Sequence, residues 1–431
     1  MSRPGRRTLG AAALCLAVLA VTGVVVVRAV AWHGSVTVLA NWTGGNEALF
    51  REKVIAGFES EEHIHVLYQG SSAVSQVLAA DAEAGTTPDV AVLPGPGELA
   101  GYAHQGRLQP LDGLVDTADF AAPWGSRALG PGDTAHTYWV PIKTDLKSLV
   151  WHPATMKPAQ LADAARQQDS WCLGMADGAT SGWPGTDWIE DILLQQAGHD
   201  VYQEWATGNL EWTAPAVRRA FRTWGAMVGA GDRHLVGNAM VTGYGDAARG
   251  LLPGAARPCT LEHQATFVRT EQPWIVTGPA EAHSHDLVPG AGTETADWEV
   301  SGDLAAMFRA TPQARKLIAY LARPDVQQRW SRSQHGFTGD RQGAGPGADR
   351  IDQDIARVLR DPHTERCYDA SDAMPSAMRD AFALAALRYL ADPGGLDAQL
   401  DILEKVRDRV HSDSASGDTG QVWLLSVCGT G

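Results

Sequence analysis

The segment Trp183-Pro184-Gly185-Thr186-Asp187-Trp188 has the densest combination of aromatic and polar side chains in the chain. Indole faces stack on the C–H face of a pyranose ring, and a carboxylate such as Asp187 accepts hydrogen bonds from sugar hydroxyls. The chain has 15 Trp but only 8 Tyr and 8 Phe, although a core needs bulk rather than indole. The segment therefore indicates a sugar platform. The alternative is a turn in which Asp187 caps the next helix and both Trp side chains are buried.

Three carboxylates that lie close together, Asp187, Glu190 and Asp191, could support a different chemistry. A pair of carboxylates hydrolyses glycosides when the two groups flank the bond at a set separation. Different strands usually supply such a pair. We therefore interpret the three residues as a solvent-facing side of one helix, and hydrolysis by Asp187 with a distant carboxylate stays as the alternative.

Other patterns that could support catalysis or metal binding are weak. His283-Ser284-His285-Asp286 could ligate a metal, but no spaced partner completes a site, so we expect an exposed loop. His263 is expected to be a structural histidine. The chain contains no nucleophile elbow, phosphate-binding loop or zinc-protease motif. We expect no catalytic residue, no metal and no cofactor.

The elements that must position these side chains begin with alternating strands and helices between residues 35 and 93. Strands are predicted at Ser35–Ala40, Ile64–Tyr68 and Val90–Leu93, with helices at about 46–60 and 72–84. This order is typical of a parallel sheet, which binds ligands beyond the carboxyl ends of its strands. Three polar or Gly/Pro-rich loops follow those ends: Asn41-Trp42-Thr43-Gly44-Gly45, Gln69-Gly70-Ser71-Ser72 and Pro94-Gly95-Pro96-Gly97.

The rest of the chain is mainly helical after one long extended segment. Tyr138–His152 is apolar apart from three charged residues, and it is long enough to run between two lobes. Helices are predicted at Asp187–Ala197, at Pro215–Val228, after a Thr311 cap, at Ser376–Leu390 and at Leu396–Val410. Gly339–Ala348 is predicted as a surface loop and Ser412–Gly420 as a linker.

Length and composition describe an acidic globular protein. The chain has 431 residues, 44% of them hydrophobic and 20% charged, with a net charge of −15. This composition excludes a disordered or fibrous chain, and the length allows about two to four domains. An acidic surface argues against nucleic acid or an anionic membrane face as the main partner.

The N-terminus indicates export. Arg3, Arg6 and Arg7 precede Leu9–Val27, an uncharged run long enough to cross a bilayer. Residues 1–31 are therefore either a signal peptide, cleaved before Trp32, or an uncleaved anchor, and the rest would lie outside the cytoplasm. Four cysteines outside the run fit an oxidising compartment, where three pairings of Cys172, Cys259, Cys367 and Cys428 are possible.

The whole pattern resembles the extracellular solute-binding proteins of ABC importers, family 1, with alpha-glucoside-type relatives. The matching segments run along almost the whole mature chain. They are Asn41-Trp42-Thr43-Gly44, Gln69-Gly70-Ser71-Ser72, Thr87-Pro88-Asp89-Val90, Leu93-Pro94-Gly95-Pro96, Val140–Trp151, Trp171-Cys172-Leu173-Gly174, Ser181–Trp188, Pro258-Cys259, Gly302-Asp303-Leu304 and Ser371-Asp372-Ala373-Met374-Pro375.

The resemblance implies a two-lobe α/β fold of the periplasmic-binding-protein type II, with a hinge of crossing strands that lets the lobes close over a ligand. Lobe one would comprise 35–144 and 302–335, and lobe two 145–301 and 336–431. Tyr138–His152 would then be one hinge strand. The resemblance also implies the disulfide Cys172–Cys259, which leaves Cys367–Cys428 as the second.

The function implied is capture of a sugar or oligosaccharide without bond breakage, by a monomer that delivers it to permease subunits in the membrane. The implied ligand-binding residues are Trp42, Ser71, Ser72, Asp145, Trp183, Asp187, Trp298 and Asp303. Alternatives are a secreted glycoside hydrolase, the same fold with a non-sugar ligand, and a membrane-tethered sensor.

Overall fold

The computed structural model describes residues 32–271, 279–292, 297–333, 336–341, 349–415 and 424–430. The apolar run Leu9–Val27 and most of the predicted Gly-rich loop lie outside these residues. Within the described ranges, no helix combines the length and the apolar character that crossing a bilayer requires.

The first three strands form a parallel array, as predicted. Strand β1 (Ser35–Ala40) lies between β2 (His65–Gly70) and β3 (Val90–Leu93) and pairs in parallel with both. The Val-rich sequences of β1 and β3 suit strands that are buried on both faces, whereas β2 alternates more buried and more exposed residues. Four helical segments connect and cover these strands: α1 (Gly44–Phe50), α2 (Ala56–Glu62), α3 (Val74–Ala84) and α4 (Pro96–His104). A π-helical turn, Arg51–Ile55, joins α1 to α2.

Two long antiparallel strands link this array to the rest of the molecule. Strand β6 (Trp139–Leu146) pairs along one edge of β10 (Trp298–Met307). On the other edge, the first residues of β10 pair with β11 (Glu365–Tyr368) and its last residues pair with β3. Strand β10 therefore joins two groups of strands in one seven-stranded sheet. With β12 (Cys428–Thr430) as the outermost strand on one side, the order is β12-β11-β10-β3-β1-β2, and β6 lies beside β10.

The extended segment predicted at Tyr138–His152 is two strands rather than one. After β6 the chain turns at Lys147 and Ser148 and continues as β7 (Leu149–Pro153). Strand β7 lies between β8 (Glu262–His263) and β9 (Pro279–His283) in a separate sheet. The break occurs because the two halves hydrogen-bond to different sheets. A short hairpin of β4 (Ala128–Leu129) and β5 (Ala135–His136) precedes β6.

Helices make up most of the remaining chain. They are α5 (Pro158–Ala165), α6 (Trp183–Ala206), α7 (Pro215–Val228), α8 (Arg233–Val241), α9 (Val268–Glu271), α10 (Pro312–Leu321), α11 (Pro324–Arg332), α12 (Arg350–Arg360), α13 (Ala370–Ala373), α14 (Ser376–Ala391) and α15 (Leu396–Ala415). Short 3-10 segments include Gly178–Thr180, Tyr244–Leu251 and Ser284–Asp286. The linker predicted from Ser412 is wrong at its start, because α15 continues through Ala415.

Most of the surplus tryptophan is used in packing. The largest fully buried side chains include seven indoles, those of Trp124, Trp139, Trp151, Trp205, Trp212, Trp224 and Trp330. Trp205, Trp212 and Phe382 pack edge to face at centroid distances of 4.9–5.6 Å. The count of Trp residues therefore reflects the core more than a binding surface.

The outermost strand of the large sheet is partly covered by a residue near the start of the described chain. The Trp32 ring stacks on His65 of β2 with a centroid distance of 3.4 Å. Farther along β2, Leu67 is 56% exposed. Trp32 thus packs on the first residue of an edge strand whose Leu67 side chain is open to solvent.

Both predicted disulfides are confirmed. Cys172–Cys259 joins the segment before α6 to the segment before β8, and Cys367–Cys428 joins two directly paired residues of β11 and β12. The bridged residues are 87 and 61 positions apart, respectively. Long loops of this kind gain stability because the bridge restricts the unfolded chain.

The double substitution Cys172→Ala/Cys259→Ala is expected to lower the free energy of unfolding by about 2–4 kcal/mol, because it frees the longer loop in the unfolded state. Urea denaturation measures the change. The matched control is the wild-type protein with both bridges reduced, which should be at least as destabilised as the variant. An unchanged denaturation midpoint in the variant would contradict the stabilising role of this bridge.

Candidate functional site

A cavity of about 540 Å³, here called the cleft, lies between the carboxyl ends of β1–β3 and the first turns of α6. Its volume is in the range of small-molecule sites. Six of the eight predicted ligand residues line it: Trp42, Ser72, Asp145, Trp183, Asp187 and Asp303. The other two, Ser71 and Trp298, are not among the lining residues. The structure thus brings together residues from five separate segments of the chain, because Trp183 and Asp187 share one helix.

One wall of the cleft consists of the loops that follow the parallel strands. Asn41 and Trp42 follow β1, Ser72 follows β2 and Pro94 follows β3, and all four line the cleft. The Tyr68 hydroxyl, in β2, donates to the Trp42 carbonyl at 2.9 Å and ties the first loop to that strand. The Trp42 indole packs against Phe50 and Trp330, so most of its surface lies in the core.

The opposite wall is aromatic. Trp183 packs edge to face on Tyr244 at 4.8 Å between centroids and lies 6.0 Å from Phe267. Its indole N–H donates to Asp177 at 2.9 Å, which fixes the orientation of the ring. Trp183 remains partly exposed, and all three aromatic rings line the cleft. Sequence reasoning missed Tyr244 and Phe267, because each stands in a short irregular segment with no periodic pattern to mark it.

The segment around Trp183 starts a helix, although Asp187 does not cap it. Helix α6 begins at Trp183, immediately after Gly182, whose φ of +108° is accessible to glycine. The predicted start at Asp187 was therefore four residues late. Trp188 is buried against Trp171 and His263, so one of the two tryptophans packs in the core and the other faces the cleft.

Carboxylates and a lysine surround the middle of the cleft. Lys143 Nζ lies 3.1 Å from Asp145 Oδ2, and the Thr266 hydroxyl donates to Asp145 Oδ1 at 2.8 Å. Asn41 donates to Asp303 at 2.7 Å. Burial raises the pKa of Asp303, and the Lys143 charge opposes this shift. These oxygens are placed to accept hydrogen bonds from a polar ligand.

The three carboxylates that the sequence placed on a solvent-facing helix surface are buried. Asp187 is 4% exposed, Glu190 0% and Asp191 1%. The interpretation was wrong because α6 is covered on several sides, by α7, α13, α14 and β10. Its polar side therefore meets other parts of the protein instead of water.

Lys147 lies at the centre of a buried group of charges that we call the Lys147 cluster: Lys147, Asp187, Glu190, Glu299 and Asp369. Lys147 Nζ lies 2.8 Å from Asp187 and 3.6 Å from Glu299, and it also donates to Asp369. Burial alone would lower the pKa of Lys147, but Asp187 and Asp369 raise it well above its usual value. The ammonium group therefore stays charged.

The carboxyl groups of the Lys147 cluster have pKa values that are shifted in different directions. Burial raises the pKa of Asp187 to about 8, and it raises the pKa values of Glu190 and Glu299 well above their usual range. Burial acts the same way on Asp369, but Lys147 and several hydrogen bonds lower its pKa to about 2. Among the residues that the structure describes, Asp187, Glu190 and Asp369 could jointly hold a metal ion.

A second buried polar network confirms the structural role predicted for His263. His263 Nε2 lies 2.8 Å from Asp191 Oδ2, and the Ser148 hydroxyl donates to Asp191 Oδ1 at 2.7 Å. The nearby segment 283–286 is not the exposed loop that we expected. Ser284 is buried in a 3-10 turn, and His283 stacks on Trp298 at 3.6 Å. Trp298 thus packs against histidine, away from the residues that line the cleft.

Comparison with known proteins matches this chain to one family. The family model described as "Bacterial extracellular solute-binding protein" matches residues 43–328. The alpha-glucosides-binding periplasmic protein AglE of Rhizobium meliloti is 30% identical over 323 residues, which are 69% of this chain and 70% of that protein. The osmoprotective compounds-binding protein GgtB of Synechocystis is 28% identical over 352 residues, or 76% of this chain and 82% of that protein.

Among solved structures, a chitin oligosaccharide binding protein matches 87% of this chain and 98% of its own length. The TM-score is 0.69 at 15% sequence identity. This similarity concerns the fold and confirms the predicted two-lobe α/β class.

Replacing Lys147 by Met is expected to lower the free energy of unfolding by about 3–5 kcal/mol, because it leaves the buried carboxylate of Asp369 without its counter-ion. Chemical denaturation at neutral pH measures the change. Lys53→Met is the matched control: Lys53 pairs with Glu52 at 2.6 Å on the surface, where the loss should stay within about 1 kcal/mol. Equal effects of the two substitutions would show that the Lys147 cluster does not depend on its ammonium group.

Proposed function

The chain belongs to the family of bacterial extracellular solute-binding proteins, as its sequence indicated, and from this premise we propose that it captures a sugar or oligosaccharide in the cleft for an ABC importer. In this role it delivers the ligand, unaltered, to permease subunits in the membrane. The name of AglE, an alpha-glucosides-binding protein, supports an alpha-glucoside as the first ligand to test.

The observation that carries this proposal is the pairing of an aromatic wall with carboxylates across one cleft. Trp183 presents a partly exposed indole, and Asp145, Asp187 and Asp303 present oxygens to the same space. A pyranose has an apolar C–H face and a rim of hydroxyls, so it needs both kinds of contact at once. Ser72, from the opposite wall, adds a hydroxyl that can donate or accept.

Closure of two lobes over the ligand is part of the proposal. The lobes are 35–144 with 302–335, and 145–301 with 336–431. The strand topology supports this division, because β6 and β10 cross from one group of strands to the other and β10 changes register between Asp303 and Leu304. Asp145 and Asp303 lie on these crossing strands, where a hinge motion would move them little relative to either wall.

Binding without hydrolysis is favoured over the glycoside hydrolase alternative. The family consists of binding proteins. Asp187, the carboxylate that hydrolysis would use, is held by Lys147 at 2.8 Å inside a buried cluster. This carboxyl group can hydrogen-bond a sugar hydroxyl while it stays paired with Lys147, a role that requires no bond breakage.

We place the protein outside the cytoplasm as a monomer. The basic N-terminus with its apolar run supports export, with the segment either cleaved or kept as an anchor. Two disulfides support an oxidising compartment.

A thermal-shift screen against mono- and oligosaccharides tests the function, because a ligand that binds only the folded state raises the melting temperature. Each compound that shifts the melting temperature is then incubated with the protein and analysed for products. A shift with no products supports a receptor. Turnover of the sugar would contradict the proposal, and so would a screen in which only non-sugar compounds stabilise the protein.

Replacing Trp183 by Ala is expected to weaken sugar binding by about 1–3 kcal/mol, because a stacking face is lost from the cleft. Isothermal titration calorimetry with the best ligand of the screen measures the change. Trp32→Ala, which removes an indole outside the cleft, is the control and should leave the affinity unchanged. If Trp183→Ala bound the sugar with wild-type affinity, Trp183 would not be a ligand-binding residue. Trp298→Ala, measured in parallel, tests in the same way the predicted tryptophan contact that does not line the cleft.

A further inference from the structure

The Lys147 cluster contains four carboxyl groups and one lysine, so only one of the four can be ionised without an unbalanced negative charge. One ammonium group faces four carboxylates, and its contacts reach Asp187, Glu299 and Asp369. In the described part of the chain, no ion pair reaches Glu190. Fully ionised, the group would hold three uncompensated negative charges away from water, which a folded protein does not tolerate without another positive partner.

The geometry of three of these carboxylates suits a shared cation. Asp187, Glu190 and Asp369 each offer one oxygen, and the three oxygens lie within 4.8 Å of one another. Oxygens that share one Ca²⁺ ion at its usual bond length can be at most about 5 Å apart. Glu190 Oε1 is buried and accepts no hydrogen bond from an N–H or hydroxyl donor, and the Glu190 side chain meets the carboxyl group of Asp369, so it has no positive contact.

A carboxylate from a different element points to the same need. Glu299, on β10, is fully buried, and neither of its oxygens has a hydrogen-bond partner. The positive group near it is Lys147 Nζ, 3.6 Å from Oε1, which Asp187 and Asp369 already share. Strand β10, which carries none of the three other carboxyl groups, thus places an unpartnered buried carboxyl group near the ammonium group that Asp187 and Asp369 share.

We propose that Asp187, Glu190 and Asp369 bind one Ca²⁺ ion beneath the floor of the cleft, flanked by Lys147 and Glu299. The divalent ion would reduce the unbalanced charge of the group from three to one. Ca²⁺ is the preferred ion because all the offered ligands are hard oxygens in an irregular arrangement, which Mg²⁺ tolerates poorly.

The surrounding contacts hold the proposed ligands in place. The Ser371 backbone N–H donates to Glu190 Oε2 at 3.1 Å and leaves Oε1 for the ion, while the Ser371 hydroxyl donates to Asp369 at 2.7 Å. Such second contacts orient carboxylates toward a metal. Asp187 and Asp369 also line the cleft, which gives the ion a path from solvent.

The test uses the whole chain after dialysis against EDTA. Tb³⁺ replaces Ca²⁺ as a luminescent probe, because it is excited by nearby indoles and Trp183 and Trp188 flank Asp187. We expect saturable Tb³⁺ emission at one ion per chain, displaced by Ca²⁺ with a dissociation constant below about 1 mM, the upper end for extracellular calcium sites. The absence of such binding would overturn the proposal and leave shared protons as the source of the missing positive charge.

Two variants locate the ion. Glu190→Gln keeps the shape of the side chain and should weaken Ca²⁺ binding at least about tenfold. Glu262→Gln is the matched control: Glu262 is also buried without hydrogen-bond partners for its oxygens, but it lies outside the Lys147 cluster, and its replacement should not change Ca²⁺ affinity. Wild-type affinity in Glu190→Gln would overturn the assignment.

If Glu190→Gln shows no cooperative melting, Asp187→Asn takes its place with the same expected loss and the same contradicting result. The measurements require no sugar. Failure of Ca²⁺ binding would therefore leave the proposed receptor function untouched, and failure of every sugar would leave the ion site untouched.

Discussion

The ammonium group of Lys147 holds four separate segments of the chain at one buried point. Lys147 lies in the turn between β6 and β7, Asp187 in α6, Glu299 in β10 and Asp369 at the start of α13. Removing the ammonium group would leave buried carboxyl groups without compensation, so the position of Lys147 depends on the segments that carry its partners. These contacts also fix the shape of the floor of the cleft, because Lys147, Asp187 and Asp369 all line it.

The two walls of the cleft have different physical origins, and the difference suits a binding protein. One wall consists of short loops fixed by the parallel strands and by hydrogen bonds such as that from Tyr68 to Trp42. The other consists of aromatic rings that pack on one another, with Trp183 held by Asp177. Rigid polar loops orient hydroxyls, whereas stacked rings accept the apolar face of a sugar in several positions. Neither wall needs a reactive group for this work.

The sequence predicts the parts of the fold that local patterns control. The bounds of β1, β3 and α7 agree with prediction, because Val-rich runs and a Pro-initiated amphipathic segment are strong local signals. The bridge Cys172–Cys259 was reached through the family resemblance rather than through any local pattern. The buried carboxylates of α6 were misread, because charged residues are rarely buried and helical periodicity does not show how many neighbours a helix has.

The reach of local sequence patterns also explains which residues of the candidate site were predicted and which were missed. Six predicted residues meet at the cleft because strand ends and motif positions constrain them. Tyr244 and Phe267 come from irregular segments, and their approach to Trp183 depends on tertiary packing that no local pattern encodes. Ser71 shows how fine the distinction is, because its hydroxyl accepts from the Ala73 backbone N–H while its neighbour Ser72 lines the cleft.

The stacking of Trp32 on His65 has a practical consequence for handling this protein. Strand β2 is the outermost strand of the sheet, and an uncovered outer strand is a template on which a second molecule can add its own strand. A recombinant chain trimmed to begin at the first residue of β1 would lack this aromatic cover. It would therefore expose the ring of His65 at this side of the sheet, unlike a chain that keeps the two preceding aromatic residues, Trp32 and His33.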